Sequence, residues 1–381
     1  MKALPPMTST FELTAVTAGI LVLVAVLAYL TPGLTRPDLF FAVTVPASFR
    51  GTPEARDILR RYRAWVVIHS LIALGLGAGL ARINGLAGML AGIGLQQAGW
   101  FLAYYRARRR VTLHATPPTT IREAELRPRT ARLPGGWVLQ IGPFAALLAA
   151  AVYLRSRWAD LPERFPVHWG LDGQPDRWAT RSLAAVDGPL LIGAVVSASL
   201  VVLSWLLLRQ SRQIRPGGLA GLAEHRFRHA VLSVLLACEY LLALIFTWTS
   251  LVPLSANVAT RQGPAQPGEP AVSAPLVLTL LFVVAVAAIL IRLGQGGTRL
   301  AGATGGRRQP PGAGPVGDRS PDRCWKAGVI YVNPDDPALF VEKRFGLGYT
   351  MNFGRPAAWV ILALFLLVPL ALSVWLVHAG S

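Results

Sequence analysis

Eight stretches of the chain run for about twenty residues with almost no charge, and this feature constrains the fold more than any other. They cover residues 12–30, 64–83, 85–105, 136–154, 188–208, 230–252, 275–292 and 356–377. A helix rises ~1.5 Å per residue, so about 20 apolar residues cross a hydrocarbon core of ~30 Å. Charged residues make up 15% of the 381, and mean hydropathy is +0.47; a soluble domain carries nearer ~25% charge. The expected class is an all-α integral membrane protein. It should be a bundle of about eight transmembrane helices, with a small cytoplasmic β-hairpin-like segment before the last helix.

Orientation follows from where the basic residues fall. The eight-helix reading sorts the 37 Lys and Arg residues into 29 on one side and 8 on the other. Basic loops stay in the cytoplasm, so both termini are expected on the extracytoplasmic face. The net charge of +18 then belongs to inner loops facing anionic inner-leaflet lipids. No nucleic-acid-reading motif accompanies the charge, so nucleic acid is not an expected partner. Val26-Leu27-Ala28 resembles a signal-peptide cleavage site. Cleavage would export a segment holding six arginines, however, and a retained first helix is the preferred reading.

The chain divides into a four-helix membrane region (1–154), an extracytoplasmic loop (155–187) and helices five to seven (188–292). A Gly/Pro/Arg-rich cytoplasmic linker (293–321), a small cytoplasmic module (322–355) and the last helix with the C-terminus (356–381) follow. The linker composition cannot bury a core. In the first loop, Pro37-Asp38-Leu39-Phe40-Phe41-Ala42-Val43-Thr44-Val45-Pro46 is apolar but too short to span, which suggests an interfacial or re-entrant segment. Thr52-Pro53-Glu54 then carries the signals of a helix start. Cys238 lies in an apolar run and Cys324 in a basic loop, so no disulfide is expected. No internal repeat is visible.

Two connections carry chemistry. The outer loop reads Leu161-Pro162-Glu163-Arg164-Phe165-Pro166-Val167-His168-Trp169-Gly170-Leu171-Asp172-Gly173-Gln174-Pro175-Asp176-Arg177-Trp178. Its prolines hold extended segments and Asp172-Gly173 supplies a turn, giving a compact loop. Trp158, Trp169 and Trp178 suit the membrane surface. His168, Asp172, Asp176 and Trp169 are the candidate ligand residues. One histidine and two carboxylates on a loop are a poor metal set, so no metal is assigned. In the cytoplasmic module, Val329-Ile330-Tyr331-Val332 and Leu339-Phe340-Val341 are strand-like. With Asn333-Pro334-Asp335-Asp336-Pro337 as a turn, they read as one hairpin. Its candidate residues are Trp325, Lys326, Tyr331, Asn333, Asp335, Asp336, Lys343, Arg344 and Asn352.

The outer pattern, Leu-Pro-x-x-x-Pro-x-His-x-x-x-x-Gly-x-Pro-Asp, resembles a domain of unknown function in bacterial membrane proteins whose best-known members are the Sdp toxin immunity proteins. The match covers about thirty residues plus the flanking helices. Trp-Lys-x-Gly-x-x-Tyr-x-Asn-Pro-Asp-Asp-Pro with Lys-Arg-x-Gly-x-Gly-x-Thr-x-Asn looks like a second uncharacterised module that accompanies the first. The Pro-Asp-Leu-Phe-Phe…Val-Pro segment is similar to the same proteins. The resemblance implies a bacterial cell (inner) membrane location and a non-enzymatic sensor, signalling or toxin-immunity role. An extracytoplasmic peptide or small ligand and a cytoplasmic protein partner would follow. This chain departs from that pattern in having more helices, the motif at mid-chain and an added C-terminal module.

Glu239 falls about ten residues into the sixth run, and an intramembrane carboxylate marks a functional site by default. Counting from the cytoplasmic ends places it ~14 Å deep, with Gln97 at ~12 Å and His69 at ~9 Å. These three are expected to share one buried polar cluster. The alternative is a glutamate that only joins helices. Gly88-x-x-x-Gly92 allows close helix approach and is no phosphate loop, because no strand precedes it. No His-Glu-x-x-His, Gly-x-Ser-x-Gly or paired intramembrane aspartates occur, and no cofactor is implied. The competing function is a secondary transporter, or a component of one, that uses Glu239.

Overall fold

A computed structural model of the chain describes residues 7–81, 83–118, 132–169, 175–212, 218–262, 273–303 and 318–380. In order the elements are α1 (Met7–Leu34), the β1 (Leu39–Phe40) and β2 (Val43–Thr44) hairpin, α2 (Pro53–Ala81), α3 (Gly85–Thr112) and α4 (Gly136–Ser156). Then come the β3 (Arg164–Trp169) and β4 (Pro175–Thr180) hairpin, α5 (Leu183–Gln210), α6 (Gly218–Gln262), α7 (Ser273–Leu293) and the short α8 (Thr298–Ala303). The last part holds β5 (Trp325–Lys326), β6 (Ile330–Tyr331), β7 (Phe340–Glu342), β8 (Tyr349–Met351) and α9 (Pro356–Gly380). All four strand pairs are antiparallel two-stranded hairpins. Among the described residues, seven long helices are apolar enough to cross a membrane. The eighth expected span, α3, has the length but is diluted by Gly85, Gly88, Gly92, Gly94, Gln96 and Gln97. The chain is an all-α membrane protein with small hairpins at the helix ends.

The first bundle is α1–α2–α3. Asn84 ends the α2–α3 turn by accepting the Ala87 amide through its side chain (3.0 Å), as an N-cap should. Below that turn the two backbones nearly touch. A Cβ on Gly88 would lie 2.3 Å from the Ala81 nitrogen and 2.6 Å from the Gly77 oxygen. Gln96 closes the bundle from α3, donating to the Leu21 carbonyl (2.7 Å) and the Ser70 hydroxyl (3.1 Å).

The second bundle is α4–α5–α6, with α9 lying along α5. Leu147, Ala150, Leu154, Val186, Leu190 and Ala243 form its core near the β3–β4 hairpin. At its other end Leu207, Leu208, Leu232, Leu339 and Phe340 form a second core. At 45 residues, α6 is ~68 Å long, about twice the hydrocarbon thickness. Residues 218–229, expected as loop, are its first turns. Only 6% of the α9 apolar stretch is buried inside the protein. That exposure suits a hydrocarbon solvent and no other.

Three connections differ from expectation. The apolar segment of the first loop folds as β1–β2 and becomes core. Phe41 and Ala42 form its turn at positive φ (47° and 61°), a conformation that costs non-glycine residues ~1–2 kcal/mol each. The compensation is packing: the Phe41 ring lies 4.9 Å from that of Tyr62 and 5.8 Å from that of Phe345, fully buried. The strands around Asn333–Pro337 are not each other's partners. Pro334 and Pro337 lack amide donors, and Asp336 turns away to bind Arg212 (2.6 Å). So β6 pairs back with β5, and β7 forward with β8. The expected 293–321 linker starts with an ordered turn, in which the Gln295 side chain clasps both backbone groups of Gly348 (2.9 and 3.0 Å). Residues 304–317 of that linker lie outside the described residues.

The glycine contact gives the first prediction. Gly88→Ala must push α2 and α3 apart, an overpacking cost of about 1–3 kcal/mol. Gly79→Ala, whose Cβ meets nothing within 4 Å, should be neutral. Thermal melting of the detergent-solubilised variants distinguishes them.

Candidate functional site

The polar side chains concentrate in a platform at one end of the bundles, where β1–β2, β5–β6, β7–β8 and the ends of α5, α6 and α7 meet. Its centre is Arg344, fully buried just after β7. Its guanidinium grips Asp318 with two bonds (3.0 and 2.7 Å), and it also donates to Asp322 (2.5 Å) and the Ser320 carbonyl (2.5 Å). The Trp325 ring covers it at 5.1 Å, while the indole N–H donates to the Ser320 hydroxyl (2.9 Å). Asp322 accepts from the Thr44 hydroxyl (2.7 Å), which ties β2 to the module. A planar fork with five donors is what such a site needs, and lysine could not replace it.

A second arginine, Arg212, follows α5. It donates to Asp336 (2.6 Å), the Tyr331 hydroxyl (3.1 Å) and the Asp318 carbonyl (3.0 Å). Tyr331 in turn donates to Asp336 (2.9 Å), and Asn333 donates to Tyr331 (3.0 Å). Asn352 is fully buried and satisfies five backbone groups. It accepts from the Asn333 and Gly354 amides and donates to the carbonyls of Asn333, Asp336 and Ala338 (2.7–3.2 Å). The asparagine therefore does the pairing that two- and three-residue strands cannot.

Burial alone would push the Asp318 carboxyl up, but the Arg344 guanidinium, and Arg212 beyond it, hold it well below the usual carboxylate range. Asp336 shows the same contest: burial raises it, and Arg212 prevails and lowers it. Burial pulls the Lys343 amine down.

Of the residues singled out from sequence, Trp325, Tyr331, Asn333, Asp336, Arg344 and Asn352 come together in this platform. Lys326 and Asp335 lie exposed on its rim, and Lys343 is half-buried beside the β7–β8 turn. Sequence reasoning missed Arg212, Asp318, Asp322, Gln295 and Thr44. One signal was available: five of only 19 acidic residues fall between 318 and 342.

The opposite end carries β3–β4. Its register pairs Arg164 with Thr180 and Trp169 with Pro175, with irregularities between Pro166 and Trp169. His168 and Trp169 therefore sit near the end of β3 and Asp176 near the start of β4. Asp172 lies outside the described residues. Arg181 fastens the hairpin base to the Trp158 and Leu161 carbonyls (3.0 and 2.8 Å). Arg155 pairs with Asp187 across the same end.

The intramembrane residues do not form the expected cluster. His69 donates from Nδ1 to the Trp65 carbonyl of its own helix (2.8 Å), and Gln97 is exposed on α3. Glu239 is fully buried in the other bundle, on the face of α6 that packs on α4 and α5. Equal depth was not equal azimuth: a one-residue step turns a helix by about 100°, so Gln96 points inward where Gln97 does not.

A domain of unknown function, DUF1648, matches residues 144–193, from mid-α4 through β3–β4 into α5. A family of unknown function, DUF5808, matches residues 334–359, from the turn after β6 through β8 into α9. No curated protein and no solved structure matches the chain. The two matches fall on the two ends of the molecule, and the chain is a multi-pass membrane protein containing two uncharacterised domains.

The depressed carboxyls make the platform acid-labile. A lowered folded-state value contributes stability that is fully present above the unfolded value, about 4, and is lost as pH falls below it. Thermal melts of the purified protein should be flat from neutral pH to about 5 and then fall steeply. Asp318→Asn should melt lower at neutral pH and lose most of that dependence.

Proposed function

We propose that this chain is a non-enzymatic sensor or toxin-immunity-type protein of the bacterial cell (inner) membrane. The β3–β4 hairpin would meet an extracytoplasmic peptide or small ligand, and the platform a cytoplasmic protein partner. One observation carries the reading: α5 joins the two ends without interruption. It begins three residues after β4, and past its far end Arg212 is built into the platform. There the Gln210 carbonyl accepts the Leu339 amide (2.9 Å), and the Arg212 amide donates to Phe340 (2.9 Å). A tilt or slide of α5 imposed at the hairpin must therefore strain the Arg212–Asp336 and Ser211–Phe340 contacts.

Arginine placement supports the orientation, since the platform end carries the basic loops. The exposed platform rim then faces anionic lipid headgroups. Resemblance to the Sdp immunity proteins supports the sensing role, with the match lying on the hairpin and its flanking helices. A second reading, a secondary transporter or a component of one, is favoured by the buried Glu239 carboxylate.

The two readings separate by mutation in the native host. Changing His168 and Asp176 together to alanine should abolish a protective or signalling phenotype at unchanged protein level, while Glu239→Gln leaves it intact. The reverse pattern, with loss only in Glu239→Gln, contradicts the sensor and favours transport.

A further inference from the structure

Between the two apolar cores of the α4–α5–α6 bundle lies a polar layer. Two contacts fix its register. On one side, Tyr240 of α6 donates to the Leu139 carbonyl of α4 (2.9 Å) and presses on Gly142. On the other, Gly193 of α5 faces Phe246 of α6, where an added Cβ would lie 2.9 Å from the Phe246 Cβ. Counting from the first contact puts Gln140 level with Glu239. Counting from the second along the antiparallel helices puts Ser197 about one turn from Glu239 toward the hairpin, and Ser204 about one turn toward the platform.

Gln140, Ser197, Ser204 and Glu239 are each at least 98% buried. The Gln140 carbonyl oxygen, both serine hydroxyls and both Glu239 carboxylate oxygens have no hydrogen-bond partner among the described residues. Three helices thus place five unpartnered oxygens within about one turn of Glu239. A bare carboxylate there costs several kcal/mol or more, so the group is carried as the neutral acid.

The surroundings are one-sided. Toward the hairpin, Thr247 and Ser250 continue the same face of α6 with unpartnered hydroxyls, and Asp187 at the start of α5 keeps one oxygen unpartnered beside Arg155. No axial gap along this row exceeds about 8 Å by helix rise. Toward the platform, Ser204 is followed by Leu207, Leu208 and Leu232. The charged and titratable groups near the layer are few. On α6 they are Cys238 and Tyr240, the latter committed to Leu139. Arg155 on α4 and Asp187 on α5 pair with each other at the hairpin end. Arg209 on α5 stacks on Trp205 at the platform end, Arg292 ends α7, and His378 on α9 bonds its own helix.

The geometry points to a proton-exchange site: Glu239, framed by Gln140, Ser197 and Ser204, takes up and releases a proton through the polar row that leads to the hairpin face, and is closed toward the platform. In the exchange, one Glu239 oxygen gains or loses a proton to water at the hairpin face, and no other bond changes. The site stands apart from the sensor reading. It deepens the transporter reading by naming the coupling ion and its side of entry.

Dicyclohexylcarbodiimide tests it, because the reagent partitions into lipid and modifies only protonated carboxyls. Sealed vesicles are prepared with the hairpin face toward the bath, and the modified residue is mapped by mass spectrometry. Glu239 should be labelled. Labelling should fall roughly tenfold as bath pH rises from about 5 to about 9, the span in which carboxyls desolvated by burial titrate. Changing the lumen pH over the same span should leave it unchanged. Labelling that follows lumen pH, no labelling of Glu239, or protection by sodium at fixed pH would each overturn the proposal. Net proton or substrate flux, measured separately, decides transport: labelling without flux keeps the site and removes only the transporter.

Discussion

Hydrocarbon cannot hydrogen-bond a peptide group, and the rest of the structure follows from that constraint. Within the span, every backbone donor and acceptor must be satisfied inside its own helix. Irregular chain is therefore pushed to the ends, and all four hairpins lie there. The same rule explains why the apolar surface is turned outward along α9 and α7, where Leu366, Leu370 and Leu281 are more than half exposed. Apolar burial cannot drive helices together in such a solvent. Close contact does so at Gly77, Gly88 and Gly92, and polar contact at Gln96.

The platform solves a different problem. Its strands are two or three residues long and could not persist alone in water. Side chains take over the pairing: Asn352 and Gln295 bond to backbone as a neighbouring strand would, and Arg344 and Arg212 collect the acidic residues. A buried ion pair contributes modest net stability, yet removing one partner is costly. This network specifies one arrangement of distant segments, since Arg344 and Asp322 reach Ala42 and Thr44 across some three hundred residues of sequence.

The helices were legible in the sequence because lipid demands long uncharged runs, and a run of that kind has few other uses. The α2–α3 pairing was legible from the one-residue gap between the second and third runs and from Gly88-x-x-x-Gly92. The platform was not. Its strands are too short to show a period, its prolines mislead about which strands pair, and its arginines look like ordinary inside-positive charge. Depth inside the membrane could be counted, but the helix face could not. Glu239 was therefore placed in the company of His69 and Gln97, whereas the structure surrounds it with α4 and α5. The three sequence segments that carried a family resemblance coincide with the hairpin and the platform, the two places where the chain leaves the helical regime.

The central claim is that hairpin and platform sit on opposite sides of a membrane, joined by α5. The direct measurement is thiol labelling of intact cells with a membrane-impermeant maleimide. Single cysteines are placed at exposed Trp178 in β4 and exposed Lys326 in the platform, with Cys238 and Cys324 replaced. The account predicts that Trp178→Cys is labelled on intact cells and Lys326→Cys only after permeabilisation. Labelling of both from one side would contradict it.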